Sequence, residues 1–198
     1  TEEVKELLHW LCTFNQNHPE ETVEFFGFDA QESESCADEI LETLTAIDSA
    51  IARDVWNELT LCAKRVGGMI SIFAEAEYAQ CQTILDQIDL AIQNFDRDIR
   101  DDAIRDRLQR TKIALRSLRG RVLQIFEYVG KNNIATAYTA RDEANADIYT
   151  ALMQRATRPE KSIIWAASSH VSRNHPQIQF IQQTENYSGA TSMGTCKL

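Results

Sequence analysis

Two apolar stretches of the sequence end in polar residues whose side chains can act as bases or nucleophiles. Residues 23–29 run through Val and Phe to a carboxylate at Asp29. Residues 162–170 run through Ile and Trp to two hydroxyl groups and the imidazole of His170. An imidazole has a reference pKa of about 6.5, so it can act as a general base near neutral pH. His170 is therefore the candidate catalytic residue, and Asp29 is a candidate to support it.

The two hydroxyl groups belong to Ser168 and Ser169, which are weaker candidates for a nucleophile. A nucleophilic Ser usually lies in a G-x-S-x-G turn, and the sequence has none here. The carboxylates between residues 86 and 102 alternate with Arg and Gln, which favours a charged helix surface over a metal site. The five Cys residues show no C-x-x-C spacing. We therefore expect no metal and no cofactor, and we expect the thiols to be buried and reduced.

The charge and hydropathy of the chain exclude some classes of partner. The net charge is -10, and neither nucleic acid nor anionic lipid favours such a surface. No apolar run approaches the roughly 20 residues that span a bilayer. The chain begins with acidic residues, where a signal peptide would be basic. These observations predict a cytoplasmic protein that binds a small molecule and docks on neither nucleic acid nor membrane.

Helical periodicity accounts for most of the chain. Apolar residues spaced three or four apart predict helices over 2–17, around 40–51, over 54–66 and over 141–154. Residues 69–119 contain neither Gly nor Pro and carry wide apolar stripes. They predict two long antiparallel helices with a turn near residue 100. The same stripes suit packing inside one chain or a homodimer interface.

The two short apolar stretches predict strands within this helical pattern. We expect an α/β fold that is predominantly helical, with a small parallel sheet in a core made of residues 1–52 and 137–198. Residues 53–136 form a large helical insertion that holds the long helix pair. Ligands bind beyond the carboxyl ends of parallel strands, so Asp29 and His170 should share one sheet edge. Because two strands make a poor sheet, either further strands are missing or the fold is a helical bundle with a small sheet.

Four short segments of the sequence, called landmarks here, resemble motifs of the erythromycin esterase family. They occur in the same order as the motifs do in that family. Residues 23–29 resemble its strand that ends in G-F/I-D, and Arg141 and Asp142 resemble the start of its "RD" helix. Residues 162–171 resemble its strand that ends in W-A-H-N-x-H-V. Met193, with Ser before it and Gly after it, resembles the small-Met-Gly element that follows. Together these landmarks extend over nearly the whole chain.

The resemblance implies a function as well as a fold. It implies an α/β core with a helical insertion and hydrolysis of an ester, such as a macrolide lactone linked to antibiotic resistance, by water that a histidine activates. His170 would be catalytic. The residues that would bind substrate or support the site are Asp29, Arg141, Asp142, Ser168, Ser169 and Met193. No cofactor is implied, and membership in this family does not fix the substrate.

The sequence departs from the family in two places. The first His of W-A-H-N-x-H is Ala167 here, and the Asn is Ser168. The N-terminal strand with its E-x-x-H-G motif has no counterpart, so we expect the chain to be part of a longer protein and to be incomplete as an esterase by itself. If active, the chain is a carboxylic ester hydrolase. The alternatives are a non-catalytic relative that binds a ligand or a partner, and a helical interaction protein.

Overall fold

The computed structural model describes residues 2–68, 72–96, 101–155 and 162–164, and most of these residues are helical. Within these ranges six α-helices follow one another, with a π-helical turn at Phe126–Gly130 before the last. The helices are α1 (Glu2–Asn17), α2 (Glu34–Ile47), α3 (Ser49–Gly67), α4 (Glu75–Asp96), α5 (Asp102–Ile125) and α6 (Ile134–Arg155). No helix within the described ranges is long and apolar enough to cross a membrane.

The predicted α/β fold is wrong, because the described ranges contain helices and no strand or sheet. Residues 22–29 have no regular secondary structure, and neither do residues 162–164. A strand needs a neighbouring strand to bond its backbone groups. Val23 bonds to a side chain instead: its N–H donates to Asn15 Oδ1 at 2.7 Å, and its C=O accepts from Asn15 Nδ2 at 2.9 Å. The apolar composition was therefore a poor guide to sheet formation.

The long helix pair forms as α4 and α5. Lys112 lies beside Asp96 at 2.8 Å, and Arg119, two turns further along α5, lies beside Asp86 at 2.7 Å. Later residues of α5 thus meet earlier residues of α4, so the two helices are antiparallel. Asp101 starts α5, because its carboxylate accepts the N–H groups of Ala103 and Ile104 that the helix leaves unbonded.

Helices α2 to α5 bury their apolar faces against one another in the main core. The side chains at its centre are less than 2% exposed. They are mostly branched aliphatic residues spaced three or four apart, which places them on the inward face of each helix. They include Ile40, Leu44, Val55, Leu59, Leu85, Ile88, Leu108 and Leu118. In contrast, α1 buries Leu11 and leaves Leu8 and Trp10 exposed.

A disulfide joins Cys62 of α3 to Cys81 of α4, with 5.6 Å between the Cα atoms. Both residues are 2% exposed. The expectation of reduced thiols is therefore wrong for this pair. The two residues are 19 positions apart in sequence, and only the packing of α3 on α4 brings them together.

A smaller apolar cluster joins the segment before α2 to α6. Ala30 is completely buried there against Ala144 and Ile148, and Phe28 packs at its margin. The residues predicted as the first strand thus lead into a short segment, residues 29–33, that packs on α6. We call this segment the corner.

Candidate functional site

The side chains of Asp29 and Arg141 meet at the corner. Arg141 Nε donates to Asp29 Oδ1 at 2.9 Å, and Nη2 donates to Oδ2 at 2.6 Å. The Arg141 side chain is 14% exposed, whereas the Asp29 side chain is 48% exposed. Two parallel bonds between a guanidinium and a carboxylate fix both position and orientation. The outer side of the Asp29 carboxylate therefore faces solvent while its inner side is held.

Gln31 completes this polar cluster. With its amide oriented to satisfy both neighbours, its nitrogen donates to Asp29 Oδ2 at 3.2 Å and its oxygen accepts from Arg141 Nη1 at 3.2 Å. Three side chains thus share one set of hydrogen bonds. Gln31 further restricts the rotation of the carboxylate.

The backbone of the corner is held by α6. The N–H of Ala30 donates to Asn145 Oδ1 at 2.8 Å, and Asn145 is 8% exposed. Next to Ala30, α5 lies close to α6 at Gly120. A Cβ at Gly120 would overlap the Cβ of Ala144 and would lie 3.5 Å from that of Ala30. Small residues on both helices therefore allow the corner to sit close to them.

A second arginine lies near the pair. Arg121 Nε donates to the C=O of Val66 at 2.9 Å, and Nη1 donates to Gln124 at 2.9 Å. Burial lowers the pKa of Arg121, and the positive charge of Arg141 lowers it further, while the Asp29 carboxylate opposes both effects. Arg121 keeps its charge at neutral pH, because the pKa of an arginine lies far above neutrality. The carboxylates of Asp29 and Glu32 thus both favour the charged form of Arg121.

The start of the second predicted strand lies on α6 as well. The rings of Tyr149 and Phe28 form a T-shaped contact with 6.2 Å between the centroids, and the Tyr149 hydroxyl lies 2.6 Å from Ser162 Oγ. Arg141, Asn145 and Tyr149 are each four residues apart, so they share one face of α6. That face therefore contacts both the end of the first predicted strand, at Asp29, and the start of the second, at Ser162.

The structure describes only some of the site residues that the sequence predicts. It brings Asp29 and Arg141 together, and it buries the neighbouring Asp142 at 6% exposure. The other predicted site residues lie outside the described residues: Ser168, Ser169, His170 and Met193. Sequence reasoning missed Gln31 and Asn145. A polar residue one turn after Arg141 on the same helix face was the available signal for Asn145.

The chemistry of the described site is that of a fixed carboxylate. An ionised carboxylate accepts hydrogen bonds, and its open side can hold a hydroxyl or an imidazole N–H. The guanidinium of Arg141 occupies the inner side of the Asp29 carboxylate. Among the described residues, no three His, Cys, Asp or Glu side chains are grouped to hold a metal ion. The site as described is suited to orienting a polar group of a ligand or of a neighbouring side chain.

The family model for erythromycin esterase matches residues 1–196. The chain therefore belongs to the erythromycin esterase family, and it is a relative of hydrolases. No curated protein and no solved structure gives a significant match. The resemblance inferred from the landmarks at Asp29 and Arg141 is thus confirmed at the level of the family.

Proposed function

We propose that this chain is a hydrolase domain that acts on a carboxylic ester, such as a lactone, through water activated by a histidine. Membership of the erythromycin esterase family supports the class of reaction. The observation that carries the proposal is the Asp29–Arg141 pair, which holds a half-exposed carboxylate rigidly on α6. Such a carboxylate is suited to orienting the base.

In this proposal His170 is the general base. A neutral imidazole can take a proton from water as the water attacks the ester carbonyl, and a nearby carboxylate stabilises the imidazolium that forms. Asp29 supplies that carboxylate, and Arg141 keeps it in place. Asp142, Ser168, Ser169 and Met193 bind the substrate or support the site, as the family landmarks imply.

One sequence feature favours the alternative of a non-catalytic relative. Ala167 stands where the family motif has its first His, and a methyl group can neither accept a proton nor bind an oxyanion. A relative of this kind would use the same corner to bind an ester-like ligand or a partner without turnover.

Ester hydrolysis by the purified full-length protein distinguishes the two. We expect turnover of a p-nitrophenyl ester or a macrolide lactone that falls by about 10²–10⁴ in His170→Ala, the usual contribution of a general base. His9→Ala is the matched control, since His9 lies on exposed α1, and it should leave the rate unchanged. Equal rates in wild type and His170→Ala would remove His170 from the mechanism. Binding of the lactone without hydrolysis would favour the alternative.

A further inference from the structure

The disulfide between α3 and α4 lies within one turn of the contacts that support the corner. Cys62 is followed on α3 by Ala63 and Val66, and both of these residues offer backbone carbonyls to other elements. The bond itself is enclosed in the main core, with both cysteines 2% exposed. It fixes the last turns of α3 against α4.

Two hydrogen bonds connect that end of α3 to the candidate site. Ser33 Oγ donates to the C=O of Ala63 at 3.0 Å, and Ser33 is a buried residue of the corner itself. Arg121 Nε donates to the C=O of Val66 at 2.9 Å, next to the close approach at Gly120. A displacement of the end of α3 would therefore move both the corner and the α5 segment on which it rests.

Gly67 makes the contact between α3 and the corner tight. A Cβ at Gly67 would lie 2.6 Å from Ser33 Oγ, so there is no spare room between the end of α3 and the corner. Closely packed interfaces of this kind transmit a displacement instead of absorbing it. A displacement of the C-terminal end of α3 is therefore expected to displace the corner.

We propose that the Cys62–Cys81 bond is a redox-sensitive anchor of the corner. When it is oxidised, α3 is held on α4 and the corner is fixed. A dithiol reductant breaks the S–S bond: each sulfur gains one electron and one proton, and the reductant closes to its own disulfide. The thiols then no longer restrain α3, and the corner opens more often. This anchor does not depend on the chain being catalytic.

The burial of the two sulfur atoms determines how fast the Cys62–Cys81 bond is reduced. A thiolate must reach a sulfur to exchange with it, and both sulfurs lie in the core, so reduction requires a transient opening of α3 from α4. Cys12 is exposed and Cys36 is half-buried, and both are free thiols. Reduction should therefore be slow in the folded protein and fast in urea.

The first measurement is thiol mapping by mass spectrometry. The chain is unfolded in urea and alkylated with iodoacetamide, with and without prior dithiothreitol. We expect Cys12 and Cys36 to be labelled in both samples, and Cys62 and Cys81 only after reduction. Full labelling of Cys62 and Cys81 without reductant, in protein purified in air, would overturn the proposal.

The second measurement is hydrogen exchange of the folded protein. On reduction, the amide of Ala30 in the corner should exchange roughly tenfold faster, because the crosslink no longer restricts local opening. The amide of Ala103, at the far tip of α5, is the internal control and should not change. The double variant Cys62→Ala/Cys81→Ala should reproduce the reduced state. If that variant does not fold, hydrogen exchange of the reduced wild-type protein provides the same comparison. A reduced protein whose Ala30 amide exchanges at the oxidised rate would show that the bond does not anchor the corner.

Discussion

Arg141 and Asp29 are 112 residues apart in the chain, and their side chains form a two-point ion pair. The pair is asymmetric, because the guanidinium is mostly buried and the carboxylate is half exposed. Removing Asp29 would leave a buried positive charge beside Arg121, whereas removing Arg141 would release an accessible carboxylate. The arginine is thus the fixed member of the pair, and the carboxylate is the group that remains available.

Replacement of Arg141 by Lys should lower the free energy of unfolding by about 1–2 kcal/mol, although the charge is retained. An ammonium is a point charge and cannot make the two parallel bonds of a guanidinium. Urea unfolding followed by circular dichroism measures the change. Arg110→Lys is the matched control on α5, since Arg110 and Asp106 are both near half exposed and 3.8 Å apart. It should change stability by less than about 0.5 kcal/mol. Equal effects of the two substitutions would contradict the special role of the pair at the corner.

The helices could be predicted from the sequence because their signal is local. The apolar stripes on either side of residue 100 predicted α4 and α5, and Asp101 at the start of α5 is a standard capping residue. The strand prediction failed for the opposite reason. Residues 23–29 have the composition of a strand, but strand formation depends on a partner, and here Val23 bonds to the Asn15 side chain.

The candidate site was predictable only in part. Asp29 was predicted from the end of an apolar stretch and from a family landmark, whereas Arg141 was predicted from a landmark alone. Nothing in their spacing shows that they touch. Their contact depends on the small residues Gly120 and Ala144, which let α5 and α6 approach under the corner. Close packing between two helices of this kind leaves no periodic pattern in a single sequence. The same is true of the Cys62–Cys81 bond.

Gly120→Ala should destabilise the protein by about 1–3 kcal/mol, the usual cost of forcing extra volume into a packed site. The new methyl group would overlap the Cβ of Ala144, which the backbone of α6 fixes in place. Thermal unfolding of the variant measures the loss. The double variant Gly120→Ala/Ala144→Gly should recover part of it, because it removes the opposing atom.

Gly27→Ala is the control for that substitution. A Cβ at Gly27 would meet nothing within 4 Å, and its φ is not positive. It should therefore be neutral or slightly stabilising, because alanine reduces the freedom of the unfolded chain. A large loss at Gly27, or none at Gly120, would contradict the close approach of α5 and α6.

Asp48 joins α2 to α3, and its substitution by Ala should lower the free energy of unfolding by about 1 kcal/mol. Its carboxylate accepts from the N–H groups of Ala50 at 2.9 Å and Ile51 at 3.3 Å, which would otherwise be unbonded at the start of α3. Asp48→Asn retains an acceptor oxygen and should lose less. Urea unfolding ranks the three proteins, and an Asn variant as unstable as the Ala variant would contradict capping as the cause.

Cys36 should react with iodoacetamide more slowly than Cys12 in the folded protein at pH 8. Burial raises the pKa of the Cys36 thiol, and the charges of Glu32 and Glu39 raise it further, while a hydrogen bond with Ser117 acts in the opposite direction. The thiolate is the reactive form, so a raised pKa lowers the reactive fraction at any pH below it. The difference should shrink as the pH rises towards that pKa and vanish in urea.

Two substitutions test the causes of this shift in opposite directions. Glu39→Gln removes a negative charge that disfavours the thiolate, so it should lower the pKa of Cys36 and speed its alkylation. Ser117→Ala removes the hydrogen bond that favours the thiolate, so it should raise the pKa and slow alkylation. Cys12 lies on exposed α1 and should keep its rate in both variants. Changes of the same sign in the two variants would mean that accessibility, and not the electrostatics around the thiol, controls the reactivity of Cys36.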